Sequence, residues 1–334
     1  MTSPRLFAPG DYEGYQALAN LCYPDYPGTV EETRHRDEIW DHSTYFMRRI
    51  VVEEAGRIVG SGDLSHAQRE FQPDKYHLDL KVDPAARRRG LGTALYQDLL
   101  AAARERRAIQ LVVGVKESMA DGLEFAVHRG FTETKRDWES RLDVNAFDAA
   151  AFADAPRRIA AQGVTITTLA DELARDPEAI RAVYELDCDC GRDVPMTDGF
   201  TPVAFDLWRK EVLESPAATP DAYYIAVSPE GRYLGVSNLW RSLGGPHLHL
   251  AGPHRGAARG ARQRHRDGPE AGDDPLCQDA RQARDQDLER DHEPADAADQ
   301  RSGGLREAAG LDPVREGSPP RYVTCGVPVR CPCR

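Results

Sequence analysis

No apolar run in this chain of 334 residues reaches the roughly 18 to 20 that a helix needs to cross a bilayer, which argues against a helical membrane protein. The opening residues, MTSPRLFAPGDYEGY, have neither the basic start nor the apolar stretch of a secretory leader. Cysteine is scarce, and its seven occurrences form an odd set without framework spacing. That excludes a disulfide-stapled scaffold and suits a reducing cytoplasm. Positive charge is in deficit, with a formal net charge of −12, so a general attraction to nucleic acid or to an anionic membrane is not expected. Metal-ligand spacing is missing as well. Cys188 and Cys190 in DCDCGRD could be imagined with His247 and His249 in PHLHL, but C-x-C is not a zinc spacing, and strand alternation explains both histidines. The terminal CGVPVRCPCR has three cysteines and no histidine, so no metal is expected there either. Beyond Gly252 a further scarcity sets in: aromatic and β-branched residues nearly vanish, and Arg, Ala, Gly, Asp and Gln take their place.

Before that point the pattern is that of a globular α/β protein. Residues 11–25 and 29–43 read as helices, the second opened by a capping box of Thr29 and Glu32. YFMRRIVVEE and GRIVGSGDLSH read as paired strands turned at Ala55 and Gly56. KYHLDLKV is a third strand, with Leu78, Leu80 and Val82 on one face and His77, Asp79 and Lys81 on the other. An amphipathic helix follows from Gly92, with Leu95, Leu99 and Ala102 on its apolar side, then strand AIQLVVGV, a short helix ADGLEFAVHRG and a closing strand or hairpin from Phe131. The order ααβββαβαβ predicts a mixed sheet with helices on both faces. After an Ala-rich connector at 145–162 the order restarts: strand GVTITTL, two helices, a hairpin turned at Pro229–Gly231, and PHLHLAG as the opening of another strand. A tandem duplication accounts for this. The chain therefore divides into a first domain at 1–144, a linker at 145–162, the N-terminal part of a second domain at 163–252, and an irregular tail at 253–334.

One stretch carries chemistry. In VDPAARRRGLGTALY a strand ends at Val82, a Pro-containing loop follows, and Arg87-Arg88-Arg89-Gly90-Leu91-Gly92 opens a helix. Two glycines let the backbone approach a ligand closely. The amides at the helix start, its positive dipole end and the arginines together favour phosphate or pyrophosphate. A Walker loop would need Gly-Lys-Ser/Thr, which is absent, and a dinucleotide fingerprint would need a third glycine where Leu95 stands. A run of arginines alone would equally suit a solvated helix start. Strand, proline, glycine spacing and following helix together set this run apart.

The arrangement V-x-P-x-x-R-R-x-G-x-G between strand and helix, with VHRGF downstream, resembles the Gcn5-related N-acetyltransferases (GNAT), whose R/Q-x-x-G-x-G/A signature falls on Arg87, Gly90 and Gly92. The resemblance implies the GNAT fold as a tandem repeat with an incomplete second copy, and acetyl-CoA as co-substrate. The backbone from Arg88 to Thr93, including Arg89, Leu91 and Gly92, is then expected to hold the pyrophosphate. The strand edge at Leu80, Lys81 and Val82 is expected to pair with the pantetheine arm and aim the thioester carbonyl at a backbone N–H. The implied activity is acetyl transfer to a small-molecule or peptide amine by direct attack, without an acyl-enzyme, since no cysteine is expected near the motif. The family often places a Tyr as general acid where this chain has Ala126, with Phe125 beside it. For the base, His77 and Asp79 lead into the motif, with Glu53, Glu54 and His66 near strand ends. The acceptor side is expected at Tyr23–Tyr26 and Trp40–Tyr45. Two other readings compete: an acyl-CoA-binding module without chemistry, or the inactive product of a frameshifted gene. The last arises because residues from Pro253, read one frame over with synonymous codon choice, permit a second strand–V-x-P–R-G-x-G–helix signature. The faces at Tyr224, Ile225, Val227, Leu239 and Trp240 would then be partly uncovered.

Overall fold

A computed structural model describes residues 3–194, 196, 198–245, 249–251, 255–256 and 321–328. The first half begins with a two-residue strand β1 (Arg5–Leu6), then helices α1 (Tyr12–Cys22) and α2 (Val30–Glu38). The capping box forms as expected: Thr29 Oγ1 accepts from Glu32 N at 3.2 Å, and a Glu32 oxygen accepts from Thr29 N at 2.7 Å. Strand β3 (Arg57–Ser65) runs antiparallel to both of its neighbours, β2 (Met47–Glu54) and β4 (Lys75–Val82). The β2–β3 turn sits on Ala55 and Gly56 at φ of 50° and 77°, the paired positive angles of a tight hairpin. Helix α3 (Leu91–Glu105), strand β5 (Gln110–Lys116), helix α4 (Ala120–Val127) and strand β6 (Thr132–Trp138) complete this half.

The alternation read in KYHLDLKV sets the layers. Leu78, Leu80 and Val82 belong to the cluster formed with Leu91, Leu95 and Leu99 of α3, so that face lies under α3. Asp79 and Lys81 face α1 instead, with the Lys81 ammonium over the rings of Tyr15 and Tyr23. Leu95 and Leu99 are fully buried, each contributing about 2 kcal/mol through removal of apolar surface from water. Close approach of α3 depends on Gly62, where an added Cβ would sit 2.8 Å from Leu99 Cδ1. On the α1 side, Arg49 joins Asp37 (2.6 Å) and Asp63 (2.5 Å), and the Tyr15 hydroxyl donates to Asp63 at 3.0 Å.

The second half repeats the opening order. Helix α5 (Ala155–Ala161) occupies the connector, followed by β7 (Thr165–Thr168), α6 (Leu169–Arg175), α7 (Ala179–Arg192), α8 (Phe205–Glu214), β8 (Tyr223–Val227), β9 (Tyr233–Arg241) and β10 (His249–Ala251), with the short β11 (Arg255–Gly256) also on β9. The sheet order is β10-β9-β8-β7. Helix α6 was not anticipated. It starts where Thr168 Oγ1 accepts from Asp171 N at 3.1 Å. The core of this half gathers Leu169, Val183, Trp208 and Ile225, and it also takes in Tyr45, Trp40 and Phe71 from the first half. Trp40 and Tyr45 are thus core groups rather than the acceptor-side pair expected from the sequence, because α2 ends at Glu38 and the chain turns toward the second half. Arg69 reinforces the junction through Asp187 at 2.9 Å and by accepting Thr201 N at its carbonyl, 2.8 Å away. Of the five residues expected to be uncovered, Ile225 is fully buried, Val227 and Trp240 are half-buried, and Tyr224 and Leu239 are exposed. Cys188 and Cys190 are buried on α7.

Strand β12 (Arg321–Pro328), from a stretch expected to be irregular, lies between β5 and β6 and is antiparallel to both. The first sheet therefore has the order β1-β2-β3-β4-β5-β12-β6. The rest of the stretch behind the frameshift reading lies outside the described residues, as does His247. Among the described residues, no helix is long and apolar enough to cross a membrane.

Candidate functional site

Strands β4 and β5 run parallel, and their pairing is brief: Lys75 with Gln110, Tyr76 with Leu111, His77 with Val112. Beyond that point they separate. The wedge opens into a cavity of about 910 Å³ bordered by Leu78–Val82 on one side and Val113–Val115 on the other. On its floor the 82–93 loop leads into α3, and α4 closes it through Gly122, Phe125 and Ala126. The end of α1 and the residues after it, Leu21–Pro24, form the opposite wall.

The loop is held in shape by local bonds. Asp83 accepts from Ala85 N at 2.8 Å and is paired with Arg57. Arg88 and Gly90 have positive φ, 61° and 86°. Gly90 is the N-cap residue of α3, and the first helical bond runs from Ala94 N to Gly90 O at 3.0 Å. The amides of Leu91, Gly92 and Thr93 are therefore those a helix start leaves without an internal partner, and they border the cavity. At Gly92 a Cβ would come within 3.2 Å of the Phe125 ring, so glycine keeps the cradle slim. Arg87 and Arg88 reach across the mouth to Asp121 and Glu124, each at 3.6 Å, a separation at which an exposed pair holds the cation in place only weakly. Arg89 points away, to Glu54 at 3.0 Å, and does not border the cavity. Arg129, which the sequence reading did not single out, lies over the Phe125 ring at 3.3 Å and donates to Thr93 Oγ1 at 2.8 Å, tying α4 to the cradle.

The candidate acid–base residues are scattered. His77 lies where β4 and β5 still pair, outside the cavity wall, and burial lowers its pKa. His66 is a packing residue: Nδ1 accepts from Phe46 N at 3.0 Å and its ring stacks on Tyr76 at 4.4 Å. Glu53 binds Arg5 at 2.7 Å. Asp79 does line the cavity, with its carboxylate half-exposed and paired with the Lys81 ammonium, which is itself buried. Ala126 is buried and offers the cavity only a methyl group. Cys22 corrects one expectation, since its Sγ is 3.6 Å from the Val82 carbonyl oxygen, to which Arg87 Nε also donates at 3.3 Å. Sequence spacing could not show this, because sixty residues separate Cys22 from Val82 and only the crossing of α1 over β4 joins them. Burial raises the Cys22 pKa, which keeps it a thiol and disfavours it as a nucleophile.

A strand wedge beside a helix start with free amides has room for a long, doubly phosphorylated ligand running along β4. Known proteins agree with that geometry. The sequence model described as "Acetyltransferase (GNAT) family" matches residues 15–131. No curated protein matches the chain. Among solved structures, a tandem GNAT protein from the clavulanic acid biosynthesis pathway is 16% identical, with 99% of each chain covered and a TM-score of 0.57. A GCN5-related N-acetyltransferase from Sphaerobacter thermophilus is 15% identical over 98% of this chain and 95% of its own, with a TM-score of 0.52. At such identities the likeness speaks for the fold, and it extends over both halves. Residues 15–131 thus form a domain that the GNAT family model recognises, carried in a chain with the α/β fold of a tandem GNAT protein.

Proposed function

We propose that this chain transfers an acetyl group from acetyl-CoA to a primary amine at the first-half cavity, by direct attack of the amine nitrogen on the thioester. The observation that carries the proposal is the abrupt end of β4–β5 pairing at His77–Val112 directly above the cradle at Gly90–Thr93. The unpaired edge of β4 from Leu78 to Val82 suits an extended amide-containing arm, and the α3 amides suit a pyrophosphate. The fit extends to charge, since Arg87, Arg88 and Arg129 all border the cavity. Catalysis would come chiefly from positioning, with a main-chain N–H on β4 stabilising charge on the carbonyl oxygen. Asp79, whose carboxylate lines the cavity and pairs with the Lys81 ammonium, is the carboxylate placed to take the proton that the amine releases.

The test uses the full chain, because β12 belongs to the same sheet. Calorimetry with CoA, and thiol release from acetyl-CoA with a panel of amines, should give heat and turnover. Heat without turnover for any amine would favour a binding module. Neither heat nor turnover would overturn the proposal.

A further inference from the structure

Breaking the C–S bond leaves a thiolate, and α4 contributes only Ala126 and Phe125 where a proton donor would be useful. Of the other hydroxyl and imidazole groups on the wall, Ser118 and His128 are exposed and Thr93 Oγ1 is bound by Arg129. The Cys22 thiol is directed at the Val82 carbonyl. The Lys81 ammonium is taken up by Asp79. Tyr23 remains. It is the C-cap residue of α1, fixed by its own N–H to Ala19 O at 2.8 Å and by its carbonyl, which accepts Tyr26 N at 3.0 Å. Its side chain lines the cavity, and among the described residues its hydroxyl has no hydrogen-bond partner.

Two ammonium groups flank the ring: Lys81 Nζ at 5.9 Å from its centroid and Lys116 Nζ at 6.0 Å. Both lysine side chains are more than nine-tenths buried, with exposures of 8% and 3%, and the carboxylates of Asp79 and Asp25 are their partners. A phenol in this position keeps its proton in the resting protein, because burial pushes its pKa up to about 12. Once the proton leaves, the Lys81 ammonium stabilises the resulting phenolate, and the Asp79 carboxylate, whose charge opposes it, is neutralised when it takes the proton from the amine.

We propose that Tyr23 is the proton donor to the departing thiolate of CoA, an assignment that rests on the acetyltransferase reading above. The amine nitrogen forms the new N–C bond as the C–S bond breaks. The sulfur takes the Tyr23 hydroxyl proton, and the proton lost by nitrogen goes to Asp79. Transfer from Asp79 through water restores the phenol, so the net reaction is amine plus acetyl-CoA giving acetamide plus CoA thiol.

The experiment compares Tyr23→Phe with the unaltered full chain on two donors, acetyl-CoA and its selenoester analogue. The acceptor is the amine from the panel that supports the fastest turnover. A selenolate is a far weaker base than a thiolate and leaves without a proton. The expected result is a loss of tenfold or more in kcat with acetyl-CoA, near-normal kcat with the selenoester, and unchanged heat of CoA binding. Equal losses on both donors, or no loss on either, would overturn the assignment. If the unaltered chain itself releases no thiol, the acetyltransferase reading fails and this assignment fails with it. That outcome is distinct from loss in the variant alone.

Discussion

Replacing Gly90 by alanine isolates the contribution of backbone shape to the cradle. A Cβ built there meets no atom within 4 Å, so no clash contributes to the effect. What remains is the φ of 86°, a left-handed angle that costs an L-residue about 1 to 2 kcal/mol. That energy has two destinations. If the loop keeps its shape, the folded state loses about 1 to 2 kcal/mol, and melting shifts down with CoA affinity unchanged. If the loop relaxes to negative φ, stability is spared, and the ligand must restore the shape on binding, weakening its Kd by about five- to thirtyfold. The two losses should sum to about 1 to 2 kcal/mol when thermal unfolding and calorimetry with CoA are run on the full chain. Gly10→Ala, away from the cavity, is the control, since its Cβ also meets no atom within 4 Å and its φ is not positive. A Gly90→Ala variant with wild-type melting and wild-type affinity would refute the reasoning, because the strained angle would then be immaterial.

Arg49 sits between Asp37 and Asp63, and all three side chains are largely buried. Arg49→Met leaves two carboxylates facing each other under α1, and the full chain should lose about 3 kcal/mol in urea unfolding, softened by the Tyr12 and Tyr15 hydroxyls that also donate to them. His66 supplies a pH dependence. Its Nδ1 must stay unprotonated to accept from Phe46 N, and burial lowers its pKa below the ordinary 6.5. Its folded pKa thus lies below its unfolded one, so its contribution is intact above about pH 6.5 and is lost as pH falls through the folded value. Melting temperature should fall between pH 7 and pH 5, and His66→Gln should flatten that slope. An identical slope in the variant would show that the loss arises elsewhere.

The cradle was legible in the sequence because everything it needs lies within fifteen residues: a strand, a proline turn, two glycines and a helix. The two faces of KYHLDLKV were legible for the same reason, since alternation alone puts Asp79 and Lys81 opposite Leu78 and Leu80. What escaped were the meetings of distant segments. Cys22 reaches Val82 only because α1 crosses β4, and local pattern does not give the crossing. Trp40 and Tyr45 looked like pocket aromatics, yet they fill the second core, where a larger apolar surface competes for them. His77 follows the alternation as read. Its distance from the cavity depends on where β4 and β5 part, a matter of two strands rather than one. Arg129 stood in the quoted VHRGF motif, but its place over Phe125 becomes visible only once α4 packs beside the cradle.

The position of β12 bears on how this molecule is made. On a ribosome, β5 and β6 emerge early, but the strand that lies between them follows β6 by about 180 residues, so the slot stays open through synthesis of the whole second half. Two bare strand margins are then exposed to any neighbouring nascent chain, the condition under which strands pair with the wrong partner. The first sheet can therefore be completed only after the whole second half has been made.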